Sequence, residues 1–171
     1  MSAPRTADEL FAHLDAHGIE VATVEHAPVF TVEEAQAHRG DLAGTHVKNL
    51  FLRNKKKQMW LVVVREDRRM DLKALGKRLG AGNLSFGRPE RLMTYLGVEP
   101  GAVTPFAVIN DHEGEVKVVL DAAIFDRDPI HCHPLRNDRT TAIGGEDLIA
   151  FLRSVDHEPE VVDMGELVKP G

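Results

Sequence analysis

The chain has 171 residues, 43% hydrophobic and 28% charged, with a formal net charge of −6. That length suits one domain with a real core, and no apolar run approaches the roughly 20 residues of a membrane helix. The opening "MSAPRTADELFAHL" has no signal-peptide core and the single cysteine, Cys132, excludes an internal disulfide framework, so a cytoplasmic protein without membrane attachment is expected.

Thr6 and Glu9 form a capping-box pattern for a first helix, in which Leu10, Phe11 and Leu14 share a face and Gly18 marks the end. "IEVATVEH" then reads as a strand. A second capping box, Thr31 with Glu34, opens a short helix that stops at Gly40. "HVKNLFLRNKKKQMWLVVVRE" contains two strand-like runs joined by "NKKKQ". The second run, Met59 to Val64, is apolar throughout, as expected of a strand buried on both faces. Asp71 caps a helix carrying Leu72, Leu75 and Leu79 at helical spacing. Pro89 starts another, with Leu92, Met93 and Leu96 inward and Gly97 closing it.

"PFAVIND" and "EVKVVL" around "DHEG" predict a hairpin. "HCHPLRNDRTTAI" reads as extended. A last helix, Glu146 to Arg153, turns Leu148, Ile149 and Leu152 toward the core, and the acidic tail from His157 is expected to be loose. These alternating helices and hairpins predict an α/β (α+β) single domain, a mixed β-sheet flanked by helices. Its core spans about residues 5–165.

Charge is distributed unevenly. Between Lys48 and Arg91 lie 13 of the 21 Lys and Arg but only Glu66, Asp67, Asp71 and Glu90, a local balance of +9 against −15 for the rest. Such asymmetry suggests a basic face for a polyanion. A solvated lysine-rich hairpin plus a basic helix would give the same pattern.

Three places have chemical potential. Lys48 sits early in a strand, just after Gly44, Thr45 and His46, though a strand lysine usually faces solvent. The loop Gly101-Ala102-Val103-Thr104-Pro105 combines a glycine that permits close approach with a proline that fixes the exit. Successive amides in such a turn can form an anion-binding or oxyanion site. His131 and His133 face the same way in an extended segment with Cys132 opposite, and Pro134 holds His133 extended. Asn137, Thr140 and Thr141 read equally as turn and edge-strand residues. No Cys-x-x-Cys or His-Glu-x-x-His accompanies the histidines, so no metal site is expected. The hydrolase serine elbow and the phosphate-binding Walker loop are missing, and the "GAG" at 80–82 follows a helix instead of a strand.

Together and in order, "GTHVKNLFLRNKK", "GVEPGAVTPFAVIND" and "HPLRNDRTTAI" resemble the YbaK/ProX superfamily of prolyl-tRNA editing domains. The intervening "RLGAGNLSFGRPERLMTYLG" is similar to the free-standing branch that clears alanyl-tRNA(Pro). The resemblance covers roughly residues 5–165. It implies hydrolysis of the ester in tRNA(Pro) mischarged with alanine, with no cofactor and with prolyl-tRNA synthetase or an elongation factor as further partners. By the same resemblance, Lys48 holds the terminal adenosine or its phosphate, the Gly101 amide binds the substrate carbonyl and its developing oxyanion, and His133 lines the amino-acid pocket. Asn49, Ala102, Val103, Thr104, Pro105, Asn137 and Thr140 are the expected substrate contacts. Arg53, Lys55, Lys56, Lys57, Lys77 and Arg78 are the expected tRNA contacts. No side chain stands out as a general base, which points to substrate-assisted catalysis. Three alternatives stand beside this reading: a cysteinyl-tRNA(Pro) deacylase of a sister branch, a non-catalytic aminoacyl-tRNA-binding module, and a metal-dependent hydrolase using His131 and His133.

Overall fold

A computed structural model describes residues 3–26 and 43–169. The helix expected from Thr31 to Gly40 lies outside the described residues. Among the described residues eight strands form one mixed sheet, with β1 (Ala22–Glu25), β2 (Thr45–Arg53), β3 (Met59–Arg65), β5 (Val116–Asp121), β6 (Ile130–Cys132), β7 (Arg139–Ile143) and β8 (Glu160–Val162) in the order β1-β7-β6-β2-β3-β5-β8. The short β4 (Ser85–Phe86) pairs with β2 off this path. Around the sheet lie α1 (Ala7–Ala16), α2 (Leu72–Leu79), α3 (Pro89–Leu96) and α4 (Gly145–Ser154). The mixed sheet flanked by helices is the expected α/β fold.

β3 is the centre of the molecule, and all of Met59 to Val64 is buried, as expected. Met59, Leu61 and Val63 join α1, α3 and α4 in one core, while Trp60, Val62 and Val64 join α2 and the C-terminal segment in a second. Strand alternation alone produces this split.

Local signals place the helices. Thr6 and Glu9 complete the capping box of α1, Asp71 accepts from the Lys73 and Ala74 amides at the start of α2, and Pro89 opens α3. Gly80 and Gly97 end α2 and α3 in the left-handed conformation. Three expectations need correction. Met93 is 42% exposed instead of inward. Pro105–Asn110 is a buried 3-10 helix, not a hairpin strand: Thr104 caps it, Pro105 starts it, and β5 pairs in parallel with β3. A short apolar run has no period to separate strand from buried helix. The tail is not loose, because β8 adds to β5 and Val162, Met164 and Leu167 are buried in the second core.

Gly44 positions the start of β2. Its φ is +114°, and a Cβ there would lie 2.2 Å from the Pro129 carbonyl oxygen, which accepts the Thr45 amide. Gly44→Ala is therefore expected to lower the unfolding free energy by about 2–4 kcal/mol. Urea denaturation of the two proteins checks this.

Candidate functional site

The site is built from one stretch of β2. Val47 and Phe51 pack into the first core, and Leu50 and Leu52 into the second. By alternation Lys48 shares the Leu50 face and Asn49 the Phe51 face. β6 runs parallel beside β2, with Thr45 opposite Ile130 and His46 opposite His131. The His46 and His131 rings stack 4.4 Å apart at 8°, which puts both on the face of Lys48. By the same alternation His133, one residue past the end of β6, falls on the His131 side of the sheet, the face of Lys48. Cys132 points the other way into the first core, where burial pushes its thiol up to about 12 and leaves it unreactive.

His133 has one assigned ring nitrogen. Its Nδ1 lies 2.8 Å from the Arg139 carbonyl, which can only accept, so this nitrogen donates and Nε2 is the ring's acceptor. Burial holds the imidazole below its ordinary range; the Arg139 bond opposes this and nearby His26 adds to it. The His26 ring is centred 6.2 Å away, and its Nε2 lies 2.8 Å from Thr140 Oγ1. His26 was not expected at this place, and only the pairing of β1 with β7 brings it here. Lys48 is held below the usual lysine range by burial first and then by the Arg69 cation, against the opposing pull of Asp67 and Glu66.

β2 also has an opening beside these residues. On the edge away from β3, β6 pairs with Thr45 and His46, and β4 pairs with Leu52 and Arg53. Among the described residues no strand pairs with the edge from Val47 to Leu50, and these four side chains are half-buried. Asn49 stands in this gap. Its Oδ1 is buried without a hydrogen-bond partner among the described residues, a state that costs about 1–3 kcal/mol for a polar atom.

The Gly101–Pro105 loop divides by role. Thr104 and Pro105 are buried, and Thr104 Oγ1 accepts the Phe106 amide at 3.4 Å, so both belong to the start of a 3-10 helix. Gly101 lies in a 3-10 turn, Pro100–Ala102, closed by the Ala102 amide on Glu99 O at 2.9 Å. Ala102 and Asn137 line one cavity of about 260 Å³ together with Glu99, Leu135 and Arg136. The loop thus meets the β6–β7 turn that begins just after His133.

Of the expected tRNA contacts, Lys55, Lys56 and Lys57 are exposed on the β2–β3 turn. Asn54 shapes that turn by donating to Gln58 Oε1 and Ala81 O while accepting the Gln58 amide. Arg53 is half-buried beside it. Lys77 and Arg78 are exposed on α2, and Arg78 lies 3.5 Å from Glu160 on β8, so they stand toward the far edge of the sheet from Lys48. No group of three His, Cys, Asp or Glu able to hold a metal ion occurs among the described residues. No described helix is long and apolar enough to cross a membrane.

Comparison with known proteins agrees with this architecture. Residues 26–151 match the aminoacyl-tRNA editing domain family. The chain is 42% identical over 156 residues to prolyl-tRNA synthetase associated domain-containing protein 1 of Danio rerio, covering 90% of this chain and 85% of that protein. It is 41% identical over 146 residues to the prolyl-tRNA editing protein ProX of Acetoanaerobium sticklandii, covering 85% and 89%. A solved structure proposed to be a trans-editing enzyme for prolyl tRNA synthetase superposes with a TM-score of 0.72 over 99% of this chain and 100% of that one, at 23% identity, a likeness of fold. With a match that runs from His26 through Phe151 and takes in the whole of the Lys48 and His133 face, the chain belongs to the aminoacyl-tRNA editing domains of the YbaK/ProX superfamily.

Proposed function

We propose that the protein is a free-standing deacylase that hydrolyses the aminoacyl ester of tRNA(Pro) mischarged with alanine. The observation that carries this reading is that Lys48 and His133 fall on one face of the sheet, beside the unpaired stretch of β2. A synthetic site shaped for proline discriminates against a smaller side chain by only about 1–3 kcal/mol per methylene. A second, smaller pocket can accept alanine and exclude proline by size. ProX of Acetoanaerobium sticklandii is named as a prolyl-tRNA editing protein, which supports the same class of substrate.

Each group has a chemical task. Lys48 supplies a cation for the phosphate or ribose of the terminal adenosine. Water attacks the ester carbonyl carbon, and the oxygen that becomes negative is received by the amides of Gly101 and Val103. The bond from that carbon to the ribose oxygen then breaks, and the ribose oxygen leaves with a proton drawn from the neighbouring hydroxyl or from water. A single amide donor to such an oxygen is worth about 10²–10³ in rate. His133, neutral and with Nε2 as acceptor, is the hydrogen-bond acceptor suited to the substrate's ammonium. Prolyl-tRNA synthetase is the proposed partner, as the names of the animal relatives suggest for those proteins.

The decisive experiment measures release of amino acid from tRNA(Pro) charged with alanine, cysteine, serine or proline. Rapid release of alanine with proline untouched is expected. Preference for cysteine assigns the protein to the sister activity, and binding without release makes it a presenting module. Activity on the alanine ester should be flat above pH 6.5 as far as His133 is concerned and fall below it, because burial keeps that ring neutral to a lower pH than usual. Reversing the charges of Lys55, Lys56 and Lys57 should raise KM more than it lowers kcat, since contacts to phosphates position the RNA without touching the ester.

A further inference from the structure

Phe86 is the most exposed large apolar side chain among the described residues, at 62% against 46% for Val161 and 44% for Val24. It is also the only aromatic ring among those exposed side chains. Its position is firmly fixed. β4 pairs with β2 through Leu52 opposite Phe86 and Arg53 opposite Ser85, and the Gly87 amide donates to Phe51 O at 2.9 Å. The backbone at Gly87 lies so close to the Phe51 ring that a Cβ there would sit 2.4 Å from it. A ring exposed on a backbone this tightly held is not explained by packing.

Its surroundings are mainly basic, with Glu90, which lines a cavity together with Arg88, as the nearest acid along the chain. Lys55, Lys56 and Lys57 occupy the turn that follows Arg53, and Arg88 stands exposed two residues beyond Phe86. Neither 48–65 nor 72–89 contains an aspartate or glutamate. Because Phe86 pairs with Leu52, alternation puts its ring on the same face as Lys48. Leu52 is four residues along β2 from Lys48, about 13 Å at ~3.3 Å per residue. That is the length of a few stacked nucleotides at ~3.4 Å each.

We propose that Phe86 is a stacking platform for an unpaired nucleobase in the single-stranded 3′ end of the RNA, with Arg88 and Lys55 to Lys57 holding the adjoining phosphates. A flat apolar ring set among cations is the combination that single-stranded nucleic acid requires: the ring takes the face of a base and the cations take the backbone. A protein partner would find an apolar spot of one side chain within a strongly basic rim, a poor fit for anything but an acidic chain. The proposal rests on the reading that the chain handles tRNA. It adds a contact a few nucleotides back from the ester and takes no part in the hydrolysis.

The test uses two uncharged, fluorescein-labelled acceptor-stem minihelices, one ending in the single strand ACCA and one blunt, with binding read by anisotropy at fixed salt. Phe86→Ala is expected to weaken binding of the overhanging RNA by about 5- to 100-fold and to leave the blunt RNA unaffected. Phe86→Trp should bind the overhang as well as the unsubstituted protein. Since the side chain is exposed, melting temperatures should agree within about 2 °C. Equal loss on both RNAs, no loss on either, a Trp variant as weak as the Ala variant, or no measurable binding by the unsubstituted protein overturns the proposal. Hydrolysis is not read in this assay. A protein that passes it yet releases no amino acid from any charged tRNA keeps the platform and loses the deacylase reading.

Discussion

Replacing Asp111 with alanine is expected to destabilise the protein by about 3–5 kcal/mol, the cost of stranding a buried charge by removing its partner. The carboxylate is buried and accepts three hydrogen bonds in one place: the Glu115 amide at 3.0 Å, the Val116 amide at 2.8 Å and His157 Nε2 at 2.8 Å, beside the turn that leads into β5. His157 Nδ1 lies 2.7 Å from the Val155 carbonyl. Both ring nitrogens therefore face acceptors, and both must donate, which makes the buried ring an imidazolium. Burial pushes the Asp111 carboxyl up, but the bonds from His157 and the two amides outweigh it and hold the group below its usual range. Burial likewise works against the His157 charge, and the Asp111 bond with the Val155 carbonyl outweighs it, raising the ring above 6.5.

The two shifts define a pH window. The Asp111 contribution is present above the ordinary carboxylate value of about 3.9 and is lost as pH falls through its lower folded value. The His157 contribution is complete below about 6.5 and is lost as pH rises through its higher folded value. The difference in stability between the unsubstituted protein and Asp111→Ala should be largest between about pH 4 and 6.5 and shrink on both sides. Urea titrations at pH 3, 5.5 and 9 measure it. A difference that kept growing from pH 5.5 to 9 would show that the ring is not charged in the fold.

The second large effect concerns the proposed chemistry. Lys48→Ala is expected to lower kcat/KM on alanyl-tRNA(Pro) by at least about 100-fold, the scale on which losing a positioning contact acts. Lys48→Arg should recover part of it, because the cation returns with a different reach. Gly101→Ala is expected to reduce kcat by about 10²–10³ if it displaces the amides from the developing oxyanion. Gly101 lies in a 3-10 turn whose backbone alanine can adopt, so this variant should fold. Unchanged kcat for Gly101→Ala, with normal melting, would remove the loop from the mechanism.

Local features were legible in the sequence and long-range ones were not. The caps at Thr6 and Asp71, the proline at Pro89 and the glycine at Gly97 each act within a turn of chain, and all fall where their chemistry places them. The wholly apolar β3 announced its burial on both faces. The 3-10 helix of Pro105–Asn110 did not announce itself, since every residue from Pro105 to Ile109 is buried and shows no period. β8 was invisible because it has three residues, two of them exposed, and exists through pairing with β5. The Asp111 and His157 pair spans 46 positions of chain. At the candidate site, Lys48 and His133 could be singled out by resemblance. That they share a face follows from the pairing of His46 with His131 across β2 and β6, which no local pattern encodes. Phe86 was passed over because a phenylalanine in a chain reads as core until its exposure is seen.

The chain's single tryptophan, Trp60, lies in the strand that both cores share, 4% exposed and with the Lys117 ammonium 5.9 Å from its ring centre. Neither half of the interior can dissolve without disturbing its neighbours on β3. Its intrinsic emission is consequently a built-in optical gauge of the entire molecule. A thermal scan at that one wavelength should trace a single sigmoid that superimposes on the loss of far-ultraviolet dichroism.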